Sequence, residues 1–367
     1  MPRPRLVLVT PALAAANNGN WQTAQRWARM LASDYRVELQ AHWGAADDAA
    51  DAAANPAVDP SAEAAADATA DATADATADP AVALLALHAR RSAASIAAWR
   101  AAHPTRPLVV VLTGTDLYRD ITNDADAQRS LALADRLVVL QPLGVQALPA
   151  VHRAKAVVCL QSAAYRGRPR APEAAAVPPT RPLHALMVGH LRDEKSPQTL
   201  FAAARRLGAD ERIAITHIGA ALDPALGDAA RATMAACPHY RWLGPQPHGA
   251  TLRRIRAADV LLHCSLMEGG AHVLSEAIVR GTPVLASRIA GNLGLLGEDY
   301  TGVFSPGDDA ALAAWLRRCR DDATMLPRLA QQCALRAPLF APARERDMLR
   351  RMMAELLARP DPRRHRT

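Results

Sequence analysis

Two series of short apolar runs, each followed by a polar rim and an amphipathic stretch, divide the chain. In the first half the runs are residues 6–10, 35–41, 82–87, 108–112, 136–140 and 156–160. In the second half they are 184–188, 213–218, 240–243, 260–263 and 284–286. A run of about five apolar residues is the pattern of a parallel strand buried on both faces. Between the runs the spacing turns helical. Trp21, Ala24, Ala28 and Leu31 share one face of a predicted helix that Asn17-Asn18-Gly19-Asn20 would open, and residues 273–280 read as a helix closed by Gly281. Strand, rim and helix in alternation predict the α/β class, with two doubly wound, Rossmann-like parallel sheets facing a cleft.

The predicted domains are 1–165 and 183–337, joined by a linker at 166–182 that is rich in Pro, Arg and Ala. The closing segment, 338–367, carries a helix (344–358) expected to cross back toward the first domain, and ends in a basic tail. Residues 44–80 interrupt the first domain with Ala and Asp, including DATADATADATADP. Their four-residue period matches no core pattern, so they read as an expanded loop without a chemical role.

At 367 residues there is room for two cores. The first residues, MPRPRLVLVTPALAAA, imitate a secretory leader, but the helical pattern that follows at once favours a first buried strand. No apolar run reaches membrane-spanning length. Net charge is +7, yet the basic residues are dispersed and aromatics make up 4%, which disfavours nucleic acid as a partner. Five scattered cysteines without CxxC or zinc spacing suggest reduced thiols and a cytoplasmic setting. Of the 43 basic residues only two are lysines, Lys155 and Lys195. A lysine kept in so arginine-rich a chain hints at a place where a compact ammonium is wanted.

The richest stretch is EGGAHVLSE, residues 268–276. Gly269 and Gly270 fall where a buried strand hands over to a helix, the place for an anion bound by free backbone N–H groups. Glu268 and Glu276 stand eight residues apart, about 12 Å at helical rise. That distance suits a group reaching from a sugar to the ribose of its nucleotide, and solvated glutamates on a surface helix are the plainer alternative. No GxGxxG follows the first strand, so a dinucleotide cofactor is disfavoured.

Other polar groups gather at strand ends, where ligands bind in open α/β sheets. They are the Asn17–Asn20 loop, His88 with Arg90 and Arg91, Thr113-Gly114-Thr115-Asp116 with Arg119, and the turn from Gly189 to Lys195. The Asn cluster reads equally as a helix cap and as a ligand loop. The Arg pair reads also as the start of a solvent-facing helix surface. Asp193 and Glu194 offer Arg192 and Lys195 an ordinary surface ion-pair cluster.

The second half resembles the retaining glycosyltransferases of the GT-B fold with an E-x7-E motif, often called family 4. The resemblance rests on VGHLRDEKSP (188–197), HIG (217–219), YRWLG (240–244), AADVLLHCSLMEGGAHVLSEAIVRGTPVLAS (257–287) and GNLG (291–294). It implies that Arg192 and Lys195 hold the donor diphosphate, that Glu268 contacts the donor sugar, and that these three carry the catalysis. It implies further that Gly269, Gly270 and Ala271 approach phosphates and sugar, that Glu276 holds the ribose, and that Leu243 and Gly244 lie at the base, with Gly189 and Gly219 at neighbouring strand ends. His272 sits inside the phosphate turn, as a donor to phosphate or as a cap. Two fixed cations would spread the charge developing on a departing diphosphate, so no metal and no other cofactor is expected.

Nearly the whole chain apart from the Ala/Asp insertion is similar to a narrower group, the selenosugar synthases of selenoneine biosynthesis, through NNGNWQTAQRW, ALHARRSAASI (86–96), VLTGTDLYRDI (111–121), LVVLQPLG (137–144) and VGHLRDEK. This resemblance implies transfer of the hexose of UDP-N-acetylglucosamine or UDP-glucose to selenophosphate, functionally linked to the later enzymes of that pathway. Acceptor-side candidates are Asn17, Gly19, Asn20, His88, Arg90, Arg91, Thr113, Thr115, Asp116 and Arg119. A selenium anion needs no strong base. A conventional transferase acting on an alcohol would benefit from one, and Asp116 is the candidate. A nucleotide-sugar binding protein without catalysis is the alternative from another class, disfavoured by the intact set of Arg192, Lys195, Glu268 and Glu276.

Overall fold

The computed structural model describes residues 3–11, 19–44 and 81–358. Asn17, nearly all of the Ala/Asp insertion and the basic tail from 359 lie outside the described residues.

Two six-stranded, all-parallel sheets form the frame. The first contains β1 (Arg5–Val9), β2 (Arg36–Gln40), β3 (Ala83–Leu87), β4 (Leu108–Leu112), β5 (Arg136–Val139) and β6 (Ala156–Val158), in the order β2-β1-β3-β4-β5-β6. The second contains β7 (Leu183–Val188), β8 (Ile213–Ile218), β9 (Tyr240–Trp242), β10 (Val260–His263), β11 (Val284–Ser287) and β12 (Val303–Phe304), in the order β12-β11-β10-β7-β8-β9. The chain reverses its winding between β1 and β3 in the first sheet and between β7 and β10 in the second. Such switch points open a crevice at the carboxyl ends of the strands. The candidate residues after β3, β7 and β10 all fall there.

The apolar runs become strands because both faces of each sheet are covered. In β3 and β4 all five residues are buried. One face of the first sheet packs on Ile96, Trp99 and Leu131. The other packs on Trp27 and Leu31 of the first helix, Gly19–Leu31, and on Leu349, Met352, Met353 and Leu356 of the last helix, Pro342–Leu357. The last helix thus leaves the second sheet and finishes the core of the first.

One expectation needs correction. The first helix buries Thr23, Ala24, Trp27 and Leu31, not the stripe through Trp21 and Ala28. Ala24 and Leu31 of the expected stripe are buried, while Trp27 takes the inward place, its indole donating to the buried Glu345 carboxylate at 2.7 Å. The two-residue strand β12 was not foreseen, being too short to leave a pattern.

The helix after β10, His272–Arg280, ends where expected: Gly281 takes the left-handed conformation at φ +74°. A Cβ there would stand 2.3 Å from the Arg170 carbonyl oxygen, so this turn also needs glycine for the close approach of another backbone.

Candidate active site

Glu268 lies in the turn between β10 and the 272–280 helix, and its carboxylate is largely buried. Its Oε1 takes three contacts: the Lys195 ammonium, the Ser265 hydroxyl at 2.6 Å, and His263 Nε2 at 3.2 Å. Burial alone would push this carboxyl up. The Lys195 charge and the His263 hydrogen bond outweigh that and hold it well below the usual carboxylate range. Burial keeps the His263 imidazole low in turn, so the cluster carries one ammonium and one carboxylate.

Lys195 arrives from the other side of the switch point. It ends the short 3-10 turn Asp193–Lys195 after β7, and Ser196 then takes φ +46° to start the helix Pro197–Arg206. Gly189 lies under its side chain, where a Cβ would be 3.6 Å from Lys195 Cδ. Gly219 packs still tighter, since a Cβ would come within 1.9 Å of the Gly189 oxygen. Gly244 accepts from the Gly219 N–H at 3.0 Å, and Leu243 N–H donates to His217. The predicted donor-side glycines therefore form one layer of turns at the ends of β7, β8 and β9. Neighbouring His190 is committed locally, its Nδ1 accepting from Ala220 N–H at 3.1 Å.

Arg192 stands apart from Lys195. Its side chain is about half exposed, and the nearest carboxylate, Glu194, is 3.9 Å away. It lines a cavity of about 380 Å³ with Arg119, Asp193, Glu194, Asp223, Leu266 and Met267. Arg119 comes from the first domain and reaches Glu194 at 3.6 Å, so two guanidinium groups face one cleft from opposite domains.

Glu276 sits one helical turn beyond His272 and is buried. Its Oε1 accepts from His248 Nε2 at 2.8 Å and lies 3.4 Å from His272 Nδ1. Against the effect of burial, the His248 hydrogen bond and the neighbouring positive groups hold its carboxyl below the usual range. The same hydrogen bond raises His248. Glu276 is therefore buried and Glu268 largely so, and both are partnered, unlike solvated residues on a surface helix.

On the first domain, the turn after β4 is organised by Asp116. Its fully buried carboxylate accepts from the N–H groups of Thr113 (2.8 Å), Gly114 (2.9 Å) and Ala89 (3.0 Å). With these bonds it fixes the loop, and no oxygen is presented to the cleft as a ready base. Thr115 accepts from His88 Nε2 at 3.1 Å, while His88 Nδ1 accepts from Arg91 N–H, which settles the tautomer. His88 takes φ +72°, and burial depresses its pKa. The residues from Asp116 to Asp120 form a π-helical turn, a rare form found frequently at functional sites.

The arginines divide by partner. Arg90 donates to Asp120 at 2.9 Å, Arg119 to the same carboxylate at 3.0 Å, and Arg91 is exposed. Only Arg119 of the three lines the cavity beside Arg192. Gly19 and Asn20 open the first helix, with Gly19 O accepting from Thr23 Oγ1 at 2.8 Å.

The domains meet at glycine. A Cβ on Gly269 would come within 2.5 Å of the Thr113 carbonyl, and one on Gly270 within 2.7 Å of Leu140 Cβ. Gly114 lies opposite, where a Cβ would be 3.1 Å from Gly269 N. Ala271 caps the 272–280 helix behind them.

The sequence reading missed His263, Ser265 and His248. His263 and Ser265 sit five and three residues before Glu268, a spacing that a strand end followed by a tight turn brings together. His248 left no signal, being 28 residues from Glu276 on a separate helix, His248–Ala257. Among the described residues, no group of three or more His, Cys, Asp or Glu is placed to hold a metal ion, and no helix is long and apolar enough to cross a membrane.

With this geometry in view, the comparisons with known proteins fall on the same region. Residues 170–334 match the family described as glycosyl transferases group 1. Over 171 residues the chain is 30% identical to D-inositol 3-phosphate glycosyltransferase of Corynebacterium efficiens, covering 44% of this chain and 40% of that protein. The match thus spans well under half of the curated relative. The whole fold is similar to sucrose-phosphate synthase from Thermosynechococcus elongatus, with TM-score 0.70, 17% identity, and coverage of 97% of this chain and 100% of that one. It is also similar to an α,α-trehalose-phosphate synthase from Burkholderia vietnamiensis, with TM-score 0.59, 13% identity, and coverage of 74% and 71%. Residues 170–334 are therefore similar to the glycosyl transferases group 1, on a chain with the two-domain GT-B fold.

Proposed function

We propose that the protein is a glycosyltransferase that takes the hexose of a UDP-sugar, UDP-N-acetylglucosamine or UDP-glucose, and joins it to selenophosphate. The observation that carries the donor half of this reading is the largely buried Lys195–Glu268 pair at the β7/β10 switch point, with Glu276 on the helix behind the glycines. The diphosphate lies against Lys195, Arg192 and the amino end of the 272–280 helix. The sugar lies at Glu268 and the ribose at Glu276, with the base at Leu243 and Gly244.

In the reaction, the selenium anion attacks the anomeric carbon. The carbon–oxygen bond to the diphosphate breaks, and its electron pair leaves with UDP. Lys195 and Arg192 take up the charge on the leaving group without a metal ion. Water then cleaves the selenium–phosphorus bond, giving phosphate and the 1-seleno-sugar. Support for an acceptor that needs no base comes from Asp116, whose carboxylate is spent on backbone N–H groups, whereas Arg119, on the cavity beside Arg192, is tied to Asp120 and Glu194 and lends no support for an anion. Arg90 and Arg91 lend no such support, one being held by Asp120 and the other exposed.

A second reading is favoured by the cavity itself. Its volume of about 380 Å³ and its apolar Leu266 and Met267 would accommodate a phosphorylated alcohol, the kind of acceptor for which the curated relative is named. Anaerobic incubation with each UDP-sugar and either selenophosphate or a panel of phosphorylated alcohols separates the two readings. A selenium-bearing hexose by mass supports the first. Transfer to an alcohol with no selenium product supports the second. Absence of UDP release with every acceptor would leave nucleotide-sugar binding without catalysis. We assign the reaction to the cytoplasm, on the same grounds of reduced cysteines.

A further inference from the structure

One rung of the second sheet's ladder is rerouted where β7 gives way to the turn that carries Lys195. The pairing of Val188 with Ile218 continues one step, Gly189 N–H donating to the Ile218 oxygen at 2.9 Å. The regular parallel spacing would next send the Ala220 N–H to the Gly189 oxygen. Instead the Ala220 N–H donates to His190 Nδ1 at 3.1 Å, and the Gly189 oxygen accepts from His217 Nε2 at 3.1 Å. The ladder resumes at once, with Leu191 N–H on the Ala220 oxygen at 2.8 Å. Two imidazoles thus take the two ends of one opened bond.

Each imidazole is in the protonation state its place requires. His217 is fully buried, and burial lowers its pKa to about 4, so the ring is neutral. With the Nε2 proton given to Gly189, its Nδ1 accepts from the Tyr240 hydroxyl at 3.0 Å, and burial keeps that phenol protonated. Burial and the charges of Arg192 and Lys195 lower His190, which leaves its Nδ1 able to accept. Lys195 lies next along the same contacts. Its side chain rests on Gly189, where a Cβ would stand 3.6 Å from Lys195 Cδ, and its ammonium meets Glu268. Packing alone asks for no imidazole at 217. The ring lies beside Phe201 and Tyr240, 6.3 Å from each by centroid, where leucine would fill the space without burying a polar group.

We propose that His217 and His190 are positioning residues for Lys195: by taking the two ends of one ladder bond they hold that bond open and fix the 189–195 turn, so that the ammonium reaches Glu268. His217 acts through the Gly189 carbonyl, which sets the peptide on which the lysine stem rests. His190 acts by keeping the Ala220 N–H from closing onto that carbonyl. Without either ring the regular rung can form, and the start of the turn is drawn back into the sheet. The inference rests on the reading of Lys195 as the cation that receives the leaving diphosphate, but its geometry is testable without any acceptor.

The chain has only two lysines, so full-length protein labelled with carbon-13 at lysine Cε gives two side-chain NMR signals, which Lys155→Arg assigns. Lys155 donates to the carbonyls of Leu131, Ala132 and Ala134 in the first domain and serves as the internal reference. His217→Leu and His190→Leu are expected to shift the Lys195 signal and leave that of Lys155 in place. His217→Gln, whose amide can still donate to Gly189, and His190→Asn, whose oxygen can still accept from Ala220, should keep the wild-type spectrum. His239→Leu, which removes a bond to the Ala204 oxygen elsewhere in the same domain, should leave both signals unmoved. In the two leucine variants kcat for UDP release should fall about ten- to hundredfold, with the KM for the sugar nucleotide little changed. Should the buried His217→Leu fail to fold, His190→Leu, on the partly exposed turn, carries the test alone. An unmoved Lys195 signal in the folded leucine variants, or an equal shift in the Gln and Asn variants, would overturn the inference and leave the donor reading intact. Wild-type kcat in Lys195→Ala would instead remove the leaving-group reading, whatever the spectra show.

Discussion

Lys195 and Glu268 are 73 residues apart in the chain and bonded to each other at the switch point of the second sheet. A compact ammonium on a flexible stem fits this narrow place between two strand ends, where a planar guanidinium would not. That explains why one of the chain's two lysines is here. Replacing it with alanine should lower kcat about 10²- to 10³-fold, the usual loss when one group stabilising developing charge is removed. Steady-state kinetics on Lys195→Ala check this, and a change confined to KM would place Lys195 outside the leaving-group site.

The same pair has a consequence for acid stability. Glu268 is held low by Lys195 and His263 against the upward push of burial. A carboxyl depressed in the folded state contributes stability above its unfolded pKa and loses it as pH falls toward the folded value. Lys195→Met lacks that contribution. The difference in Tm between wild type and this variant should therefore be largest near neutrality and shrink below about pH 4. A difference that is constant across pH would show the pair contributing no linkage.

His248 gives a second pH signature. Its hydrogen bond to Glu276 raises its pKa, so the charged pair is fully present below the unfolded value, about 6.5, and is lost as pH rises through the folded one. Two other groups face Glu276. His272 is depressed by burial and already neutral there, and Arg280 stays charged. UDP affinity should weaken as pH rises through the His248 transition. His248→Gln should flatten that step, and a step of unchanged size in the variant would assign it elsewhere.

Gly269 is a spacer between domains. A methyl group there would meet the Thr113 carbonyl at 2.5 Å and Gly114 N at 2.7 Å, backbone atoms that cannot give way without moving the domains. Gly269→Ala should fold and melt near the wild-type temperature, yet lose most of its turnover. Small-angle scattering should report a more open particle. Wild-type kcat in this variant would mean that the contact plays no part in catalysis.

Much of the fold was legible because it is carried by local pattern. Leu84–Leu87 and Val260–Leu262 are apolar throughout, as strands covered on both faces must be. The glycines marked the strand-to-helix turns for the same local reason. What the sequence hid was long-range partnership. Glu268 read as a group open to a sugar, and nothing local told that Lys195, 73 residues away, would share the oxygen that its near neighbours Ser265 and His263 also hold. Asp116 read as a base, but its loop wraps three N–H groups around it. Trp27 rather than Trp21 is buried, and the partner of its indole, Glu345, is 318 residues away.

In the proposed reaction the anomeric carbon of a UDP-hexose leaves its diphosphate at Lys195 and Glu268 and becomes bonded to selenium. It is tested most directly by carbon NMR of a reaction holding UDP-glucose or UDP-N-acetylglucosamine labelled at C1, with selenophosphate, under anaerobic conditions. A new C1 signal flanked by selenium satellites is expected, rising with UDP in wild type and lost in Lys195→Ala. A C1 signal that stays with the diphosphate, or moves only to oxygen, would contradict it.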